Sequence, residues 1–135
     1  MEAIVSTVCI IDDDDIYQFV AQRDIEFTRL VKKVILFSSG EAALKFFKEE
    51  IHNSDVLPDI VFLDINMPIM DGWQFMEEYS IIRPNIIKSV TIYLVSSSVD
   101  ERDIQRAKKM SEVSGYIIKP IGRDRLAEIF YSRSN

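Results

Sequence analysis

Five short apolar runs, each followed by a stretch with helical spacing, limit what this chain of 135 residues can fold into more than any other feature. The runs cover residues 8–11, 34–37, 59–63, 90–95 and 116–118, and the helical stretches cover about 14–30, 41–53, 73–82, 100–111 and 124–132. The central runs are nearly all apolar instead of alternating, as strands are when helices cover both faces of their sheet. Repeated strand–helix units of this length build a parallel, doubly wound α/β sheet with right-handed crossovers.

The expected inward stripes are Ile16, Phe19/Val20, Phe27 and Leu30/Val31 on the first helix, and Leu44, Phe47 and Ile51 on the second. The fourth helix offers only Ile104, Ala107 and Met110, the fifth Leu126, Ile129 and Phe130. Trp73, just after Gly72, is expected at the surface. Asp14 or Asp15 is suited to cap the first helix, where a carboxylate meets free backbone N–H groups.

Charged or hydroxyl side chains stand where four of the runs end: Asp12 with Asp13, then Asp64, Ser96 and Lys119. Ligands of open α/β sheets bind beyond the carboxyl ends of the strands, so these residues are expected to meet there. The second run ends in no such group and is expected at the sheet border. Three carboxylates in close quarters raise one another's pKa and need compensation. One lysine and one divalent cation would balance them. An all-oxygen set suits Mg²⁺, and the site has none of the His or Cys that zinc favours. An ionised carboxylate in such a setting can attack a phosphoryl group, whose oxygens the lysine and metal neutralise and a Ser96 hydroxyl can contact.

Bulk properties remove other classes. The formal charge of −6 opposes non-specific nucleic-acid binding, which depends on neutralising phosphates. Residues 1–99 carry eight basic and sixteen acidic side chains, and residues 100–135 carry eight and six. The last third could therefore offer a protein partner a mixed-charge surface, Lys108 and Lys109 included. The single cysteine, Cys9, lies within an apolar run, and the single histidine, His52, leaves no Ser-His-Asp or zinc arrangement. No stretch approaches the ~20 apolar residues of a membrane span, and the basic region of a signal peptide is missing. A cytoplasmic location, with no membrane or nucleic-acid partner, is the expectation.

The segments Ile-Asp-Asp-Asp, Leu-Asp-Ile-Asn-Met-Pro-Ile-Met-Asp-Gly, Leu-Val-Ser-Ser and Gly-Tyr-Ile-Ile-Lys-Pro resemble the signature blocks of the response-regulator receiver domain. The resemblance runs along the whole chain. It implies a flavodoxin-like sheet of strand order 2-1-3-4-5 with five helices, forming one receiver domain over residues 1–135 with no effector domain. It also implies that Asp64 is the phosphoacceptor, that Asp12, Asp13, Asp64 and the Asn66 backbone carbonyl hold Mg²⁺, and that Lys119 contacts the phosphoryl group. By the same resemblance the Lys119–Pro120 bond is cis, and Ser96 and Tyr116 form a switch toward the face of the fourth helix, fifth strand and fifth helix. The implied donor is a histidine kinase or histidine phosphotransfer protein, the downstream partner an unidentified protein on that face. Such a chain is a signalling module, not an enzyme beyond promoting its own phosphorylation and dephosphorylation. Ser97 stands where the family usually has Ala, which narrows access to an acyl phosphate, and four consecutive aspartates allow a one-residue slip of the acidic pair. Two rival readings are a docking module that is never phosphorylated and a phosphatase of the haloacid-dehalogenase type. The latter would want an acid two residues after the nucleophile, where this chain has Asn66.

Overall fold

Strand and helix alternate through the whole of the computed structural model, which describes residues 3–134. The elements are β1 (Val5–Ile11), α1 (Asp15–Thr28), β2 (Val31–Phe37), α2 (Gly40–Glu49), β3 (Ile60–Asp64), α3 (Gly72–Ile82), β4 (Thr91–Ser96), α4 (Glu101–Lys108), β5 (Val113–Ile118) and α5 (Arg123–Ser134). A short 3-10 turn at Arg83–Asn85 follows α3, where Pro84 cannot continue the helix. The five strands are parallel in the order β2-β1-β3-β4-β5, so β2 lies at one border as the sequence suggested. The two strands that present the central acids, β1 and β3, are adjacent and pair from Val8–Ile60 to Ile11–Leu63.

Two apolar layers sandwich this sheet. The larger packs Ile11, Val61, Leu63, Ile92 and Leu94 against α2 and α3, with Phe47, Phe75 and Tyr79 in mutual ring contact. The smaller packs Val8, Ile10, Ile60 and Phe62 against α1 and α5, where Leu126, Ile129 and Phe130 point inward as expected. All five residues of β3 are buried, which accounts for its uniformly apolar run.

Two expectations about packing are corrected. Trp73 is 7% exposed and belongs to the larger layer, with the Arg106 guanidinium from α4 stacked 4.5 Å from its ring. On α1, Ile16, Phe19, Val20 and Phe27 all face solvent, and the buried residues are Gln18 and Ile25. The inward face is set by Gln18, whose Nε2 donates to the carbonyls of Asp12 (2.6 Å) and Phe37 (2.9 Å) at the ends of two adjacent strands. The Phe37 carbonyl also accepts the Asp12 N–H at 3.0 Å. The Gln18 amide therefore bridges a carbonyl already in the sheet to the Asp12 carbonyl beyond it, and this anchor turns the Gln18 face of α1 inward. On α2, Ile51 lies past the helix end and only partly covered, while Ala43, Leu44 and Phe47 carry the contact.

Candidate functional site: an acidic pocket at the carboxyl edge

Each strand end delivers its polar group to one edge for a local reason. β1 stops at Ile11 and Asp12 turns back on the chain, its Oδ1 accepting the Asp14 N–H at 2.9 Å. Asp14 then caps α1, accepting from the N–H groups of Ile16 and Tyr17. This division of labour resolves the aspartate run: Asp12 is buried at the strand end, Asp13 projects to solvent, and Asp14 is committed to the helix. Asp64 ends β3 with its Oδ1 accepting the Asn66 N–H at 3.1 Å. α3 then starts hard against this turn, capped by Asp71 with a reciprocal Gln74 bond. A Cβ on Gly72 would lie 2.7 Å from the Ile65 Cα and 2.8 Å from the Asp64 carbonyl oxygen, so only glycine lets the helix approach the acid-bearing strand this closely.

The carboxylates of Asp12, Asp13 and Asp64 each place an oxygen within 4.8 Å of the others. Lys119, from the end of β5, reaches across with its Nζ 2.8 Å from Asp12 Oδ2 and 3.6 Å from Asp64 Oδ1, and lies 4.1 Å from the centre of the Tyr17 ring. The Lys119–Pro120 bond is cis. Asp64 is only 5% exposed, and burial pushes its carboxyl up to about 6 against the partial relief given by the Asn66 N–H; Asp12 raises it further, while Lys119 lowers it. Burial and the same acidic neighbours raise the Tyr17 hydroxyl as well.

Ser96 is fully buried at the end of β4, and its Oγ accepts from Asn66 Nδ2 (3.2 Å) and from the Ser98 N–H (3.0 Å). Tyr116 is half-buried on β5 and donates its hydroxyl to the Ser98 carbonyl at 2.9 Å. Asp12, Asp13, Asp64 and Lys119 therefore meet in one pocket. Ser96 is joined to it through Asn66, and Tyr116 is linked to Ser96 through Ser98. Sequence reasoning missed Gln18, Tyr17 and Ser98. The one available signal was a polar residue, Gln18, spaced seven from the buried Ile25 on one helix face. His52 is exposed in the turn after α2 and takes no part.

A doubly wound parallel sheet whose carboxyl edge gathers three acids and a lysine defines a class of signalling domain. The chain belongs to the response regulator receiver domain family, whose profile matches residues 8–131. It is similar in structure to a two-component response regulator from Cytophaga hutchinsonii, with a TM-score of 0.86, 30% identity and 96% of each chain covered. In sequence it resembles the probable C4-dicarboxylate response regulator DctR of Bacillus subtilis, 31% identical over 121 residues. That match takes in 90% of this chain and 49% of DctR, so the chain spans about half the length of that relative. The probable methanogenesis regulatory protein FilR2 of Methanothrix harundinacea is 23% identical over 114 residues, 84% of this chain and 72% of that one. Receiver domains work with histidine kinases or phosphotransfer proteins as signalling modules. Among the described residues, no helix is long and apolar enough to cross a membrane.

Proposed function

We propose that the chain accepts a phosphoryl group on Asp64 from a phosphohistidine and, so modified, changes its affinity for a protein partner. One observation carries this reading: three carboxylates within 4.8 Å of one another, with a single ammonium in reach of two of them. Those acids fit Mg²⁺, since every donor is a hard oxygen and the exposed Asp13 leaves the cluster open to solvent on one side. Asp12, Asp13, Asp64 and the Asn66 carbonyl would hold the ion, which when bound neutralises charge on the phosphoryl oxygens.

The chain's own groups do the rest. A free oxygen of the ionised Asp64 forms the new O–P bond while the P–N bond of the donor breaks, and the departing imidazole nitrogen takes up a proton. The Asn66 N–H holds the other carboxylate oxygen and orients the attack. Lys119 moves between Asp12 and the incoming oxygens, and the Ser96 hydroxyl turns to donate to one of them. Ile16 and Phe19, exposed on the first turns of α1 directly after the acidic pair, supply the apolar surface on which a histidine kinase or phosphotransfer protein sets its histidine. The face of α4, β5 and α5 carries the output. In the cytoplasm this makes the protein a phosphorylation-operated switch, not a turnover enzyme.

Incubation with acetyl phosphate and Mg²⁺ should add one phosphate, a gain of about 80 Da, to the intact protein. Asp64→Asn should abolish that gain. A wild-type mass that stays unchanged with every small-molecule and phosphohistidine donor would defeat the proposal.

A further inference from the structure

One residue of the β4–α4 connection, Ser98, touches Ser96, Tyr116 and the start of α4 together. The Ser98 N–H donates to Ser96 Oγ at 3.0 Å, and its carbonyl accepts the Tyr116 hydroxyl at 2.9 Å. Its own Oγ donates to Asp103 Oδ2 at 3.1 Å and accepts the Asp100 N–H at 3.1 Å. Asp100 is the residue that caps α4, and Asp103 lies in the first turn of that helix. Ser98 thus connects the phosphate-facing hydroxyl, the aromatic of β5 and the start of α4 within one residue.

The rest of α4 is weakly held. Only Ala107 of its eight residues is buried, and Arg106 adds its stack on Trp73. A helix with so little apolar burial takes its position from the contacts at its ends. Ser96, meanwhile, has two acceptor lone pairs, and Asn66 and Ser98 occupy both. When the Ser96 hydroxyl rotates to donate to a phosphoryl oxygen on Asp64, a lone pair leaves the Ser98 N–H. That half-buried donor must then find another acceptor, and the connection has to shift.

We propose that Ser98 is the positioning residue at which occupancy of Asp64 divides into two outputs, one through its carbonyl to Tyr116 and one through its hydroxyl to α4. This rests on the phosphoacceptor reading above. Loss of the Ser98 hydroxyl cuts the second branch and spares the first, and loss of the Tyr116 hydroxyl does the converse.

The test uses beryllofluoride with Mg²⁺ as a stand-in for the phosphoryl group. Bound beryllofluoride is followed by fluorine NMR, α4 by hydrogen exchange of residues 101–108, and the Arg106 stack by Trp73 fluorescence. In the wild type the analogue should alter both α4 exchange and Trp73 emission. In Ser98→Ala the α4 amides should exchange about tenfold faster before any addition, as expected for the loss of one or two hydrogen bonds at a helix start. The analogue-induced changes in α4 and Trp73 should then be largely lost although the fluorine signal still shows the analogue bound. Ser98→Thr, which keeps a hydroxyl, should restore them, and Tyr116→Phe should leave the α4 response in place. A full α4 and Trp73 response in Ser98→Ala, or its loss in Tyr116→Phe alone, overturns the assignment of Ser98. Absence of any bound fluorine signal in the wild type overturns instead the phosphoacceptor reading beneath it.

Discussion

The two ends of the same sheet hold clusters built from the same residue types and finished in opposite ways. At the amino-terminal end, Asp59 accepts the Thr7 N–H at 3.0 Å and pairs with Lys88 (3.0 Å) and Arg133 (3.7 Å). Both cations also bind carbonyls, Lys88 those of Ser54 and Leu57, Arg133 those of Ser89 and Asp59. One carboxylate with two cations leaves nothing seeking a ligand, and the cluster closes the chain. At the carboxyl-terminal end, three carboxylates share one ammonium, and Asp64 is pushed up to about 6 by its own burial. The closed cluster adds stability. The open one holds unbalanced negative charge that a cation and a phosphoryl group can use, and stability is given up for it.

Breaking the closed end should have the largest effect on stability. Asp59→Ala strands Lys88 and Arg133 beside the Thr7 N–H. It should cost about 2–4 kcal/mol, since removing one partner of a partly buried pair leaves the other charges uncompensated. Urea unfolding would measure it, and phosphorylation of the folded fraction should be unaffected. A midpoint unchanged from wild type would mean that the amino-terminal cluster contributes nothing to stability and that the two ends do not differ in this respect.

Opening the other end further should have the reverse sign. Asp64→Asn removes the buried charge, and in metal-free solution it should stabilise the protein by about 2 kcal/mol at neutral pH. The carboxyl of Asp64 is held above its ordinary 3.8, at about 6, so the folded state binds a proton more tightly than the unfolded state does. Wild-type stability therefore falls as pH rises between roughly 4 and 6, and the deficit is complete above that window. Paired melts in EDTA at pH 4 and pH 7.5 should show the Asn variant level with wild type at the lower pH and ahead at the higher. A gap of equal size at both would rule out the charge as its cause.

How much of this was legible in the sequence depended on what set each residue's position. The parallel doubly wound sheet, the border place of β2 and the acids at the sheet's edge follow from runs and spacings that one strand–helix unit after another repeats. The full strand order was legible only through the family resemblance. The orientation of α1 does not. Ile16, Phe19, Val20 and Phe27 have helical spacing, but so do Gln18, Ala21 and Ile25, and periodicity alone does not choose between two offset stripes. The choice falls to the tertiary bridge that Gln18 makes between the Asp12 and Phe37 carbonyls at two strand ends. Trp73 misled for a related reason. It follows a loop glycine, yet that glycine is where α3 comes closest to β3, so the next residue is carried into the core. Ser98 gave no signal because its partners Ser96, Tyr116, Asp100 and Asp103 come from β4, β5 and the start of α4, which meet only in the folded chain.

Magnesium is the gentler probe of the open end. If the acidic pocket binds the ion with a dissociation constant near 1 mM, adding about 10 mM should stabilise the protein by about 1–1.5 kcal/mol through mass action alone. The closed end offers no place for the ion, so Asp59→Ala should retain this gain. Asp13 separates metal binding from folding most cleanly, because its carboxylate is exposed and, among the described residues, no hydrogen bond or ion pair engages it. Asp13→Asn should therefore shift metal-free stability by less than about 0.5 kcal/mol, as surface changes usually do, while removing most of the magnesium-dependent gain. The magnesium titration of its melting temperature is the measurement. If Asp13→Asn kept the wild-type gain, the ion would be binding without the cluster, and the distinction between a closed and an open end would lose its chemical basis.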